Sequence, residues 1–93
     1  MIIGALRLHI YLPESQSLKD KRQVLQSYKE KLRRKFQVSV CELEKQESWR
    51  ESVLGVAYIN SSRVQVEKVL DNVISFGDMV KNLEVLNFEK EIL

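Results

Sequence analysis

Cys41 and His9 are the residues of this 93-residue chain with the chemistry of nucleophilic catalysis, and each type occurs once. A thiol attacks as its thiolate, so it needs a base nearby, and the base needs a third group to orient it. His9 lies in an alternating run with Arg7 and Tyr11 on its own side, and Cys41 ends the run Val38-Ser39-Val40-Cys41. Both runs have strand character, so a Cys-His pair on one sheet is conceivable. Nothing in the spacing fixes their separation, and no orienting group stands out. Cys41 therefore reads as a small, half-buried strand residue. One His and one Cys leave a zinc ion two ligands short, so no metal is expected. Gly4, Gly55 and Gly77 stand far apart and match neither a phosphate loop nor a dinucleotide turn, so no cofactor is expected. The carboxylates are scattered along the chain. No residue is assigned a catalytic role, and the sequence reads as that of a non-enzyme.

A different chemistry is concentrated between positions 17 and 35. Eight cations stand there against Asp20 and Glu30, a balance of +6, while the rest of the chain is −4. The near-neutral total of +2 hides this asymmetry. At about 100° per residue on a helix, Lys19, Arg22, Lys29 and Arg33 fall on one flank with Gln26 among them. Lys21 falls near the apolar stripe, where its stem is expected to snorkel outward. Lys19, Lys21 and Arg22 also occupy the first helical turns, where the helix dipole disfavours cations by roughly 0.3–1 kcal/mol each. Such breaches of local preference tend to mark function. Lys19, Lys21, Arg22, Lys29 and Arg33 are therefore the candidate nucleic-acid-binding residues. The first helical amides, with Ser17, are a further candidate seat for an anion.

The elements that must position these groups follow from periodicity. Residues 2–12 alternate, with Leu6, Leu8, Ile10 and Leu12 on one side, which predicts a strand with one face in the core. Leu18, Leu25, Tyr28, Leu32 and Phe36 recur at helical spacing and predict a helix over 17–35, with Ser17 and Asp20 as its capping pair. Residues 36–43 return to strand character, with Phe36, Val38 and Val40 on one face. The polar stretch 44–51, which holds Trp49, reads as a hairpin connection. Residues 52–60 are apolar at both parities, which predicts a central strand. Ser62 and Gln65 cap a second helix with Val66, Val69, Leu70, Val73 and Ile74 as its stripe. Gly77 is placed as its left-handed terminal residue. Residues 83–88 are a last strand and 89–93 a charged tail.

The order β-α-β-β-α-β predicts a single domain over residues 1–93: a ferredoxin-like α+β sandwich, a four-stranded antiparallel sheet with two helices on one face. Its core is expected to hold Leu6, Leu8, Ile10, Leu25, Leu32, Val38, Val40, Val69, Leu70 and Val73. The other sheet face is left open and should show Ala5, Arg7, His9, Tyr11, Gln37, Ser39 and Cys41. A face half-coated with small and apolar groups is poorly defended against association, so a homo-oligomer through this face is expected. RNA-recognition motifs share the topology but stack bases on aromatics of the central strands. Here Leu54-Gly55-Val56-Ala57-Tyr58-Ile59 puts Val56 where the first such aromatic belongs, which argues against stacking on this sheet.

No apolar stretch approaches the roughly 18 residues of a membrane span, so no membrane partner is expected. A single cysteine permits no internal disulfide and suits a reducing compartment, so the expected location is the cytoplasm. The strings Ser17-Leu18-Lys19-Asp20-Lys21-Arg22 and Arg34-Lys35-Phe36-Gln37-Val38-Ser39-Val40-Cys41-Glu42, with Trp49 and Leu54-Gly55-Val56-Ala57, resemble the bacterial YlxP-like family, a family of unknown function. Cys41 stands where that family is expected to carry Ala, which weakens a catalytic role for it further. The resemblance implies a ferredoxin-like fold. Family members are often encoded beside translation and ribosome-maturation factors, which implies ribosomal RNA or a ribosomal subunit as partner. The expected function is that of a non-catalytic RNA- or ribosome-associated factor acting through the basic first helix; the alternative is a homo-oligomeric protein-interaction module that binds no nucleic acid.

Overall fold

The computed structural model describes residues 1–93. Its elements are β1 (Ile2–Tyr11), α1 (Leu18–Phe36), β2 (Ser39–Glu44), β3 (Glu51–Asn60), α2 (Arg63–Gly77) and β4 (Glu84–Ile92). The strands form one sheet in the order β2-β3-β1-β4, every neighbouring pair antiparallel. This is the ferredoxin-like arrangement, with β1 and β3 central as the apolar content of residues 52–60 requires. Both helices contribute to one core cluster, which contains all ten residues expected from periodicity.

The caps carry out what the sequence proposes at the helix starts. Ser17 Oγ accepts from the Asp20 amide at 3.0 Å, and the Asp20 carboxylate accepts from the Gln16 amide at 3.0 Å. Ser62 Oγ accepts from the Gln65 amide at 3.2 Å. The helix ends differ from expectation. α1 runs through Phe36, which is therefore helical rather than the first residue of β2, and Gln37 takes the left-handed position at φ 57°. Gly77 is not left-handed; the residue after it, Asp78, is right-handed helical. Gly77 is required instead by close packing, since a Cβ there would lie 2.6 Å from Val85 Cγ2 and 3.0 Å from the Tyr28 hydroxyl.

The charged tail of residues 89–93 is a correction of another kind. Gly4, Ala5, Leu6 and Arg7 of β1 pair with Ile92, Glu91, Lys90 and Glu89, so β4 extends almost to the chain end. Backbone pairing along a central strand outweighs the polar side chains, because an edge strand tolerates charge on its exposed sides. Each edge strand also carries an irregularity: β2 between Glu42 and Glu44, β4 opposite the His9–Ile10 step. The extra residues are Leu43 and Leu86. Such bulges twist an edge away from further pairing.

Register decides which face each residue shows. Ala5 pairs with Ala57 and Ala57 with Ser39, while Arg7 pairs with Gly55 and Gly55 with Cys41. These residues share the open face with His9, Val53 and Tyr11. Gln37 is not among them, since it is the cap of α1. Leu43 lies over Gly55, where an added Cβ would meet its Cδ1 at 2.9 Å. Val56 is buried, and Tyr58 packs against the helix-side core with its hydroxyl accepting from Asn60 Nδ2. Neither is presented on the open face.

Candidate nucleic-acid interface

α1 presents its cations in three different settings. Lys19, Arg22, Lys29 and Arg34 line a shallow depression of about 880 Å³ along the outer surface of the helix, which reaches Glu42 of β2. Lys19, Arg22 and Arg34 are exposed and Lys29 is half-buried. None of these four joins an ion pair. From Lys19 to Arg34 the helix advances roughly 22 Å at 1.5 Å per residue. Free charges spaced over that length match several successive phosphates of a nucleic-acid backbone.

Arg33, expected on the same flank, is engaged elsewhere. One guanidinium nitrogen donates to Val40 O at 3.1 Å, and the other lies 3.6 Å from Glu30 Oε1. Arg33 thus reaches a backbone acceptor on an edge strand, a contact that helps close that edge. Arg34 takes its place as the fourth cation along the depression. Lys35 leans over Phe76 and Phe36, its ammonium 5.4 and 6.0 Å from the ring centres, a pair of cation–π contacts.

Lys21 overturns its assignment. It is 1% exposed and belongs to the apolar face of α1, between the levels of Leu18 and Leu25. Its ammonium does not snorkel to solvent. It donates to Lys45 O at 2.6 Å and lies 3.1 Å from Glu42 Oε2, which also accepts from the buried Ser52 hydroxyl at 2.6 Å. A buried ammonium is tolerable only with a counter-charge and filled hydrogen bonds, and this network supplies both. The misplaced charge at the start of α1 is therefore partly a tertiary device that ties the helix to the β2–β3 hairpin. At the helix start the Asp20 amide is already taken by Ser17 Oγ, and the Asp20 carboxylate accepts from Gln16 N.

The conceivable thiol–imidazole pair is not assembled. Cys41, expected to be half-buried, is exposed because it points from an edge strand to the open face; it shares a row with Gly55 and Arg7, and β3 stands between it and β1. Two strand spacings separate the two backbones, roughly 9.5 Å. His9 Nε2 instead meets Glu51 Oε1 at 2.8 Å. That hydrogen bond, and then the charge of Lys45, holds the Glu51 carboxyl below its ordinary range. Arg7 is held between Glu44 and Glu89. Beside Arg7 and Glu89 lies a second shallow concavity, about 660 Å³, floored by Ala5, Cys41, Leu43, Gly55 and Ala57.

Under the helices, the Tyr28 hydroxyl is buried without a hydrogen-bond partner. Burial, and then the charge of Asp78, pushes its pKa up to about 12. Its ring stacks on Phe76 with centres 6.3 Å apart.

With this geometry in view, comparison with known proteins is informative about kinship. A family model described as "Protein of unknown function (DUF503)" matches residues 3–90. The chain is 36% identical over 83 residues to "Uncharacterized protein YlxP" of Bacillus subtilis (strain 168), covering 89% of this chain and 90% of that one. Among solved structures it is similar to the de novo designed protein Ferredog-Diesel, with a TM-score of 0.50 at 13% identity, covering 96% of this chain and 83% of that one. The de novo designed protein Foldit4 aligns with a TM-score of 0.49 at 14% identity, over 99% of this chain and 94% of that one. At such identities a structural likeness concerns fold alone.

Proposed function

This chain belongs to the DUF503 family, and from that premise we propose that it is a non-catalytic RNA-binding protein of the cytoplasm, associated with ribosomal RNA or a ribosomal subunit through the outer flank of α1. One observation carries the reading: Lys19, Arg22, Lys29 and Arg34 line one surface and join no ion pair, although Glu30 and Glu42 border it, while Lys21, Arg33 and Lys35 of the same helix are paired or stacked. Unpaired cations in a row repel one another, an arrangement that makes sense opposite a polyanion. Contacts of this kind grip phosphates and position the protein without reading sequence. Ribosomal RNA is preferred to other RNA because the sequence resembles a family encoded beside ribosome-maturation factors. The exposed, unpaired Cys41 suits a reducing compartment.

Sedimentation with purified ribosomal subunits tests this. The protein should travel with a subunit at ~50 mM salt and largely release by ~200 mM, because bound phosphates exchange for counterions. Failure to co-sediment at the lower salt would count against the reading.

A second reading is favoured by the open sheet face. Ile59 is 57% exposed and Leu43 42%, beside Ala5 and Ala57. A homo-oligomer joined there would be a protein-interaction module. Light scattering over a concentration series separates the two: a monomer at every concentration that still binds RNA leaves only the first.

A further inference from the structure

Trp49, the only tryptophan, lies in the hairpin loop between β2 and β3 and is 57% exposed. A single exposed apolar side chain means little by itself. What distinguishes Trp49 is the way its loop is held. Leu12 N donates to Arg50 O at 2.7 Å, Arg50 Nε donates to Ser15 O at 2.9 Å, and Lys21 Nζ donates to Lys45 O at 2.6 Å. Inside the loop, Lys45 adopts the left-handed conformation at φ 64°, its carbonyl accepts from Ser48 N, and Ser48 Oγ accepts from Glu51 N at 3.1 Å. Three tethers and an internal turn thus fix the loop against the start of α1. That end of the helix carries Lys19 and Arg22.

We propose that Trp49 is a stacking platform for one unpaired base of a bound RNA, with the neighbouring phosphates on Lys19 and Arg22. This rests on the RNA-binding reading and names its ligand class: a stem with an unpaired loop or bulge, rather than a continuous duplex. An indole accepts any base, since every base offers a π-face, and a rigid platform loses little freedom on binding. Residues 45–50 contain Lys45, Arg50 and one acid, Glu47, with no second large apolar side chain, and the flanking Glu44 and Glu51 are engaged by Arg7 and His9. The surroundings of Trp49 are therefore charged rather than apolar, unlike the greasy patch of a protein partner, and the cations that meet phosphates are Lys19 and Arg22 of the adjoining helix start. The central strand β3 offers no alternative platform, since Val56 and Tyr58 face the helices.

The test uses two labelled RNAs of equal phosphate count, a hairpin with a single-stranded loop and a continuous duplex, followed by fluorescence anisotropy. The parent should prefer the hairpin. Trp49→Ala should lose about tenfold in hairpin affinity, equivalent to ~1.4 kcal/mol and at the low end for one stacked base. It should leave duplex affinity within about twofold, because the phosphate contacts remain. Trp49→Phe should recover most of the loss. Since Trp49 is the sole indole, the parent's own fluorescence should quench with the hairpin. Circular dichroism should show all variants folded. Hairpin binding by Trp49→Ala at parental strength, or unchanged indole emission at saturation, overturns the stacking proposal and leaves RNA binding standing. A parent that binds neither RNA at low salt overturns both.

Discussion

Replacing Lys21 by Met separates structure from binding most sharply. The ammonium makes two contacts, with Lys45 O and Glu42 Oε2. Hydrogen bonds to charged groups contribute about 1.5–3 kcal/mol each, and removing one partner of a buried pair costs about 3–5 kcal/mol. Two features reduce the loss. Lys45 O keeps its bond from Ser48 N, and the Glu42 side chain is 21% exposed, so water can reach the stranded carboxylate. A cost of about 2–4 kcal/mol is therefore expected, a large share of the ~5–15 kcal/mol that holds a small domain together. Urea denaturation followed by circular dichroism reads it as a fall in midpoint at unchanged slope. Adding Glu42→Gln removes the stranded charge but keeps an acceptor for Ser52, so Lys21→Met/Glu42→Gln should recover at least half of the loss. A surface lysine would cost under ~0.5 kcal/mol, and a loss that small would refute the buried network. So would a double variant no more stable than the single one.

Tyr28→Phe should be neutral or stabilising by about 1 kcal/mol, because it removes a buried hydroxyl without a partner. The Tyr28 phenol stays protonated to about pH 12 in the fold, against about 10 in the unfolded chain, so its contribution is complete below pH 10 and is lost as pH rises through 12. That loss is on the order of 2–3 kcal/mol, and urea titrations at about pH 9 and pH 12 should show it in the parent and not in Tyr28→Phe. Gly77→Ala should cost about 1–3 kcal/mol by driving a Cβ against Val85, and an unchanged thermal midpoint would show that this contact yields freely. The Glu51 carboxyl, lowered by His9 and then Lys45, favours the fold above the ordinary carboxylate range and ceases to do so as pH falls through its lowered value. In His9→Ala an NMR titration should find Glu51 moved back toward the ordinary range.

The fold was legible because its signals were periodic. Alternation in β1 and the stripes of both helices specify the faces that meet in the core, and a β-α-β-β-α-β order leaves few ways to close them. Three things were obscure for physical reasons. β4 reads short in the sequence because residues 89–93 are mostly charged, while its pairing comes from backbone groups that composition does not reveal. The place of Gly77 after a helix suggests a conformational role, although contact with Val85 is what excludes a side chain. Lys21 resembles a ligand-binding cation by type alone. Its signal was nonetheless present: the stripe steps seven residues from Leu18 to Leu25, and the missing inward position is Lys21. Glu42 shares the inward parity of Val38 and Val40 on the neighbouring strand, so a lysine and a glutamate at two core-facing positions already suggested each other. The flank of Lys19, Arg22 and Lys29 was visible from helical angles, whereas the diversion of Arg33 to Val40 O depends on where β2 lies.

The most direct test of the central claim is the salt dependence of RNA affinity in a variant with Lys19, Arg22, Lys29 and Arg34 all replaced by Gln. If each cation neutralises one phosphate, the log–log slope should fall by about 3, at roughly 0.7–0.9 per contact. A companion variant, Arg63→Gln/Lys68→Gln/Lys81→Gln, removes cations outside α1 and should keep the parental slope. The account predicts a shallow slope and weak binding for the first variant, with circular dichroism unchanged. Equal slopes and equal affinities for the parent and the α1 variant would contradict it.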